Sequence, residues 1–194
     1  MSNNVNAAAQ IEMEKAIEEI SKYRAKIREL RKSLPPEEIG QYQFTDGNGN
    51  KVSLSSLFGN KKDLIIVHNM GKGCPYCTLW ADGFNGVYQH LENRAGFAVV
   101  SPDKPETMKE FSRGRNWKFR ILSNAKGNFT KDMGYEDEKG NPHPGISTFH
   151  RDSDGKIYRI SHAPFGPGDD FCAVWYMFDM LQGGANGWQP KYMY

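Results

Sequence analysis

The stretch Leu64-Ile65-Ile66-Val67-His68-Asn69-Met70-Gly71-Lys72-Gly73-Cys74-Pro75-Tyr76-Cys77 decides the fold. Its first five residues form a continuous, mostly apolar run, which suits a central strand buried on both faces. Gly71 and Gly73 then mark a loop. Pro75 fits the first position of a helix, where its missing N–H costs nothing and its fixed φ is already helical. Cys74 and Cys77 therefore fall one turn apart at a helix start.

A cysteine in that place faces unpaired backbone N–H groups and the positive end of the helix dipole. Both favour the thiolate, so Cys74 is expected to ionise below the ordinary thiol value of about 8.5. Lys72, two residues earlier, adds a positive charge to that expectation. Cys77 is placed to attack a mixed disulfide formed at Cys74. A strand feeding C-x-x-C at a helix start is the arrangement expected of a thioredoxin-like redox motif. C-x-x-C is also half of a zinc ribbon, but tetrahedral zinc usually needs a second compact knuckle. The chain has no second C-x-x-C and no H-x-x-x-H, and Cys172 and the histidines are scattered. No metal and no cofactor are therefore expected, and the absence of C-x-x-C-H argues against covalent haem. Two other readings stay open: a thioredoxin-fold binding protein whose cysteines are idle, and a metal-binding protein using Cys74, Cys77 and a nearby His. Cys172 reads as a buried structural thiol on an apolar C-terminal helix.

Outward from this centre, residues 97–101 read as a second core strand, 105–115 as a helix and 119–122 as strand-like. Upstream, the turn chemistry of Asp46-Gly47-Asn48-Gly49-Asn50 joins two short alternating segments into a hairpin. Residues 123–145 read as a long polar connection broken by a short helix near 129–133. Residues 146–150 and 156–161 flank a second turn. Phe171, Val174, Trp175, Phe178 and Leu181 are spaced for a final buried helix. The predicted fold class is α/β: a central mixed sheet flanked by helices, with an N-terminal β-hairpin and a long helical extension. The expected division is 1–36 for the extension and 37–194 for the thioredoxin-like domain.

The extension has no Gly or Pro from residue 6 to 33, and Pro35-Pro36 ends it. Met13, Ile20, Ile27 and Leu34 recur every seven residues, with Ala16, Tyr23 and Leu30 between them. Such a helix spans about 40 Å, longer than a small domain is wide. Its apolar seam is expected to support self-association, giving a homodimer.

The 194 residues carry a net charge of +2, which gives no pull toward nucleic acid or an anionic membrane. The N-terminus lacks a charged n-region and an apolar h-region, and no run approaches the roughly 20 apolar residues of a membrane span. Three cysteines do not make a secreted disulfide framework. The expected location is cytoplasmic, and the expected partner is a disulfide-containing protein or a small thiol.

The segment from Phe44 to Gly59, followed by an apolar strand and C-x-x-C, resembles the opening of the thioredoxin-like and peroxiredoxin-like superfamily. Leu30 to Pro35, Cys74 to Gly86, Arg115-Asn116-Trp117 and Gly145 to Asp152 resemble the bacterial family of unknown function 899. The first resemblance implies a thioredoxin fold and thiol–disulfide oxidoreductase activity; the second names no substrate. Cys-Pro-Tyr-Cys is typical of glutaredoxins, although the surrounding length is not. Thioredoxins carry Trp before the first cysteine, where this chain has Gly73, and peroxiredoxins carry Thr or Ser three residues before theirs, where it has Gly71. The thioredoxin cis-proline has its best match at Ile146-Ser147, with Pro144 just ahead. His68 falls where thioredoxins bury an Asp behind the second cysteine. That implies a proton relay for Cys77, with a hydrogen-bonded core histidine as the alternative.

Overall fold

The computed structural model describes residues 2–194, with side chains from Ala7 onward; Met1 lies outside the described residues. The chain divides into two compact units, Met1–Pro36 and Glu37–Tyr194.

The first unit is the helix α1 (Ser2–Ser33). Helix-forming residues carry it without interruption. Its end is closed by Leu34 N–H to Leu30 O (3.2 Å) and Ser33 Oγ to Leu30 O (2.8 Å), just before the two prolines. Exposed pairs support its surface: Lys22 with Glu18 and Glu19, and Lys32 with Glu29. Each contributes only a few tenths of a kcal/mol, about 0.3–0.5.

The second unit is built on one eight-stranded sheet in the order β1-β8-β7-β4-β5-β6-β2-β3. In chain order its strands are β1 (Glu37–Ile39), β2 (Gln43–Thr45), β3 (Lys51–Ser53), β4 (Asp63–His68), β5 (Gly96–Ser101), β6 (Arg120–Ser123), β7 (Gly145–Arg151) and β8 (Ile157–Pro164). Its helices are α2 (Pro75–Arg94), α3 (Pro105–Gly114), α4 (Phe129–Asp132) and α5 (Val174–Asp179), with a 3-10 turn at Leu54–Phe58. The strands β4, β5 and β6 run parallel, while β7 pairs antiparallel with both β4 and β8. This is the mixed sheet that the sequence predicts, with the β2–β3 hairpin closed by Asp46. The Asp46 carboxylate accepts from Asn48 N–H (2.8 Å) and Asn50 N–H (2.9 Å), which fixes the turn.

Two apolar layers sandwich the sheet. Because strand side chains alternate, Leu64 and Ile66 of β4 join Phe44, Phe58, Val100, Leu122, Phe129 and Phe149 on one face. Val67 joins Trp80, Ala81, Phe84, Val99, Phe119 and Trp175 on the other. Burial on both faces is why β4 reads as an unbroken apolar run.

One strand is added and two expectations change. The edge strand β1 was not legible, since Glu37-Glu38-Ile39 has no alternation to read; it forms because Glu37 to Ile39 pair with Arg159 to Ile157 of β8. The predicted C-terminal helix shrinks to the six residues of α5. Asp169 accepts the N–H groups of Gly166 (3.0 Å) and Phe171 (2.8 Å), a local turn that competes with helix before Cys172. At the other end, Gly183 and Gly184 follow, and Leu181 is 58% exposed rather than buried. Finally, the connection 123–145 forms its expected short helix as α4 but is not polar throughout, because Phe129, Thr130, Met133 and Tyr135 are buried in it.

Tyr135 anchors that connection by aiming its hydroxyl between Ile146 O (2.7 Å) and Ala163 O (3.1 Å). The space is made by Gly145, where an added Cβ would meet the Tyr135 ring and lie 2.6 Å from the Ala163 carbonyl oxygen. Backbone cannot move aside cheaply, so Gly145→Ala is expected to lower stability by about 1–3 kcal/mol in chemical denaturation. An unchanged midpoint would show that the ring and strand have room to shift.

Candidate active site

The loop before Cys74 is shaped by its backbone needs. Gly71 has φ +100°, a conformation that side chains with a Cβ rarely adopt. Its N–H donates to Asn69 Oδ1 (2.7 Å), and the next N–H, of Lys72, donates to Asp103 Oδ2 (2.6 Å). Asp103 follows β5 and is itself held through its backbone: its N–H reaches Ser101 Oγ (3.2 Å) and its carbonyl receives Ser123 Oγ–H (2.6 Å). The ends of β4, β5 and β6 are thereby tied to one loop.

Cys74 is the N-cap of α2, with extended backbone (φ −105°, ψ 104°), and its sulfur accepts the N–H of Cys77 at 3.0 Å. Pro75 occupies the first turn, as its position in the sequence predicts. Thr78 secures the same turn through its N–H and hydroxyl, both at 3.1 Å from Cys74 O. Both cysteines are reduced and buried, Cys74 at 9% exposure and Cys77 at 3%.

Their acidities are driven apart. A hydrogen bond from the Cys77 side chain, followed by the N–H groups of Cys77 and Tyr76, brings Cys74 down to about 7 against the opposing effect of burial. Cys77 is pushed strongly up by that same hydrogen bond, by burial and by the Cys74 charge. Lys72 is exposed, and its role is the backbone N–H that holds Asp103 rather than a charge beside the sulfur.

His68 sits elsewhere. It shares the sheet face of Leu64 and Ile66, stacks on Tyr135 (3.9 Å between centroids) and Phe129 (5.4 Å), and its Nε2 lies 3.0 Å from Ser147 Oγ. Helix α2 covers the other face, with Val67. A proton relay needs a path to Cys77 Sγ; one-residue alternation along β4 turns His68 away from it, and the neighbouring Asn69 is the side chain that approaches Cys77, at 3.5 Å from its carbonyl oxygen. Burial lowers the His68 pKa to about 3, with the charges of Arg159 and His162 adding to it, so the ring is neutral in the fold. Cys172 is buried among Phe165 and Trp175, just before α5, and burial raises its thiol. Pro144 lies immediately before β7, and among the described residues all peptide bonds are trans.

The sequence reading missed Asn69, Asp103 and the network around Asp82. Asp82, on α2, pairs with Arg115 and accepts Trp117 Nε1–H (2.8 Å), while Arg115 Nη1 donates to Tyr192 O (2.6 Å). Burial first, then the charges of Cys74 and Cys77, raise the Tyr192 phenol, whose ring lies 6.3 Å from that of Phe111. Tyr76 and Trp80 of α2 and Trp175 of α5 form an aromatic wall, with centroids 6.1–6.5 Å apart. The signal for Asp82 and Arg115 was present only as motif residues of a family with no assigned chemistry. Among the described residues no group of three or more His, Cys, Asp and Glu gathers to hold a metal, and no helix is long and apolar enough to cross a membrane.

The family model described as bacterial protein of unknown function (DUF899) matches residues 3–193. The chain belongs to this family, within the thioredoxin-fold superfamily that includes the peroxiredoxins. A protein of Mycobacterium tuberculosis named as a peroxiredoxin is 32% identical over 130 residues, covering 63% of this chain and 81% of that one. Chloroplastic peroxiredoxin Q of Gentiana triflora is 26% identical over 137 residues, 70% of this chain, and the chain spans 60% of that relative's length. Among solved structures, peroxidoxin BcpB of Mycobacterium tuberculosis has a TM-score of 0.55 at 22% identity, covering 66% of this chain and 84% of its own. A reduced peroxiredoxin from Vibrio vulnificus, solved with hydrogen peroxide, also has a TM-score of 0.55, at 16% identity over 70% of this chain and 90% of its own. These structures share the fold.

Two outcomes follow from these acidities. Alkylation of Cys74 by iodoacetamide should rise about tenfold per pH unit below pH 7 and flatten above it, while Cys77 stays slow throughout; mass spectrometry of the labelled peptides reads both, and equal rates would contradict the split. His68 is neutral in the fold and titrates near its ordinary value of 6.5 when unfolded. The His68 contribution to stability is therefore complete above pH 6.5 and is lost as the pH drops toward about 3, because the unfolded chain binds the extra proton. Urea denaturation at pH 7.5 and 4.5 should show that loss, and His68→Gln should flatten it; an identical slope in the variant would assign the loss to other groups.

Proposed function

We propose that this member of the family is a thiol-dependent oxidoreductase that cycles Cys74 and Cys77 between dithiol and disulfide. The observation that carries the reading is the split pair: one thiol brought to about 7 by the hydrogen bond from its neighbour's side chain and then by the first amides of the helix, with that neighbour, three residues on, kept protonated. Relatives named as peroxiredoxins support thiol redox chemistry in general terms.

In the forward direction the Cys74 thiolate attacks one sulfur of a substrate disulfide. The substrate S–S bond breaks, one substrate thiolate leaves, and Cys74 is joined to the other half in a mixed disulfide. The charge on Cys74 is then gone, which removes one of the effects that hold the Cys77 proton. The departing thiolate accepts that proton. Cys77, now a thiolate, next attacks Cys74 Sγ, releasing the second half of the substrate as a thiolate that is protonated from solvent and leaving a Cys74–Cys77 disulfide. A thiol or dithiol reductant returns the pair to its starting state with two electrons. Substrates of this kind are a protein disulfide or a small disulfide, and a reducing compartment such as the cytoplasm fits a pair that must be regenerated.

A second reading is peroxide reduction, favoured by the names of the relatives. There Cys74 would break the O–O bond, releasing an alcohol or water and becoming a sulfenic acid, which Cys77 would close to the disulfide with loss of water. Gly71, three residues before Cys74, offers no hydroxyl to hold a peroxide oxygen. The disulfide reading therefore stands first.

The test measures turnover of a model protein disulfide and of hydrogen peroxide side by side, with a thiol reductant supplied. Cys74→Ser should reduce turnover of the disulfide by about a hundredfold or more. Cys77→Ser should keep the first attack and accumulate mixed disulfides on Cys74 that dissolve under reductant. Faster peroxide than disulfide turnover would promote the second reading. If Cys77→Ser traps nothing and neither substrate turns over, the cysteines are idle and a binding role replaces both.

A further inference from the structure

Helix α1 has an unused apolar seam and a charge distribution that together specify a partner. Met13, Ile20, Ile27 and Leu34 take the first apolar position of successive heptads; Ala9, Ala16, Tyr23 and Leu30 take the second. A lone helix of 32 residues cannot cover its own stripe, and Ile20, Tyr23, Ile27 and Leu30 are all exposed. The charges are segregated: residues 12–19 hold four glutamates and one lysine, and residues 22–32 hold six basic residues and one glutamate.

We propose that α1 pairs antiparallel with α1 of a second copy of this chain, with residue i facing residue 43 − i. This register seats each first-position residue opposite a second-position one: Met13 on Leu30, Ile20 on Tyr23, Ala16 on Ile27 and Ala9 on Leu34, each layer occurring twice by the two-fold axis. Ala16 and Ala9 then face Ile27 and Leu34, so no layer is left with two small residues. The acidic segment of each copy lies along the basic segment of the other, and Glu19, on the flank of the seam, lies diagonally across from Lys26 of the second copy, two residues along from its directly facing position, an arrangement that occurs twice. The pairs that Lys22 makes with Glu18 and Glu19 inside the helix are exposed, so they do not commit Glu19. A parallel pair is disfavoured by the same residues: Ala16 would meet Ala16 across a gap, Tyr23 would crowd Tyr23, the basic segments would lie side by side, and Lys26 would face Arg31.

The orientation gives a distinctive charge test on the full chain by sedimentation equilibrium. Lys26→Glu sets two Glu19–glutamate contacts in the antiparallel pair and should weaken the dimer about tenfold, whereas it would relieve Lys26–Arg31 repulsion in a parallel pair and tighten it. Glu19→Lys should also weaken the homodimer, and an equimolar mixture of the two single variants should restore wild-type affinity as a heterodimer. Ile20→Asp with Ile27→Asp should give a monomer, and an unchanged Cys74 alkylation rate in every variant would show that residues 37–194 stay folded. A wild-type chain that is monomeric up to about 100 µM, where even micromolar pairing would be evident, a tighter Lys26→Glu dimer, or a dimer that survives the double aspartate change would each overturn the proposal.

Discussion

The N–H of Cys77 pointing at the sulfur of Cys74 is the contact on which the site turns. Helix N-caps are ordinarily Ser, Thr, Asp or Asn, whose oxygen satisfies an amide left over at the first turn. Here a sulfur fills that office, and the capping amide also favours the thiolate, in addition to the larger effect of the Cys77 side chain. Ionising the thiol strengthens the cap, and the helix in return holds the thiolate. The Cys77 thiol adds a second donor to the same sulfur and keeps its own proton as a consequence. Two cysteines of identical intrinsic chemistry are thus made unlike by one turn of helix.

That contact survives only if the helix start is held still, and the surrounding structure does this at two scales. Along α2, Trp80, Ala81 and Phe84 are buried against the sheet, which fixes the direction of the helix axis and therefore of its free amides. At its mouth, Asn69 and Asp103 take the amides of Gly71 and Lys72 and so define the path by which the chain arrives at Cys74. Asn69 N–H also bonds Val100 O, and Asn124 N–H bonds Ser101 O, so the loop is continuous with the hydrogen-bonded ends of the parallel strands. Sites at the carboxyl ends of such strands profit from this rigidity, since backbone rather than side-chain entropy is already fixed there.

The two faces of the sheet divide the remaining chemistry. One face receives α2, the helix that carries Cys74 and Cys77 at its start. The other receives His68, Phe129 and Tyr135, where a neutral imidazole lies flat between aromatic rings with Ser147 at its edge. The position of His68 in the chain, six residues before Cys74, suggests nearness; the strand alternation puts a sheet between them. Sequence distance along a strand says little about side-chain distance, because each step reverses the face.

Much of this was readable in the residues themselves. An apolar run of strand length, two glycines, and Cys-Pro-x-Cys leave few conformations other than strand, loop and helix start, because Pro75 and the glycines restrict the backbone locally. Asp46 with its neighbouring Asn and Gly residues likewise closes its own turn, and the uninterrupted helix formers of residues 7–33 make α1. What the sequence could not supply were contacts between residues far apart in it. Glu37-Glu38-Ile39 becomes a strand only because β8 offers an edge. The aromatic spacing of residues 171–181 promised a longer helix than the Asp169 turn and the following glycines allow. Asp103 and Asp82 are ordinary acidic residues until folding brings Lys72 N–H to one and Arg115 to the other. Local steric and hydrogen-bonding preferences thus determined where the cysteines would be and which would cap the helix. Only the tertiary structure decided how that cap is held and that His68 faces away, since both depend on burial and on partners that the chain meets after it has folded.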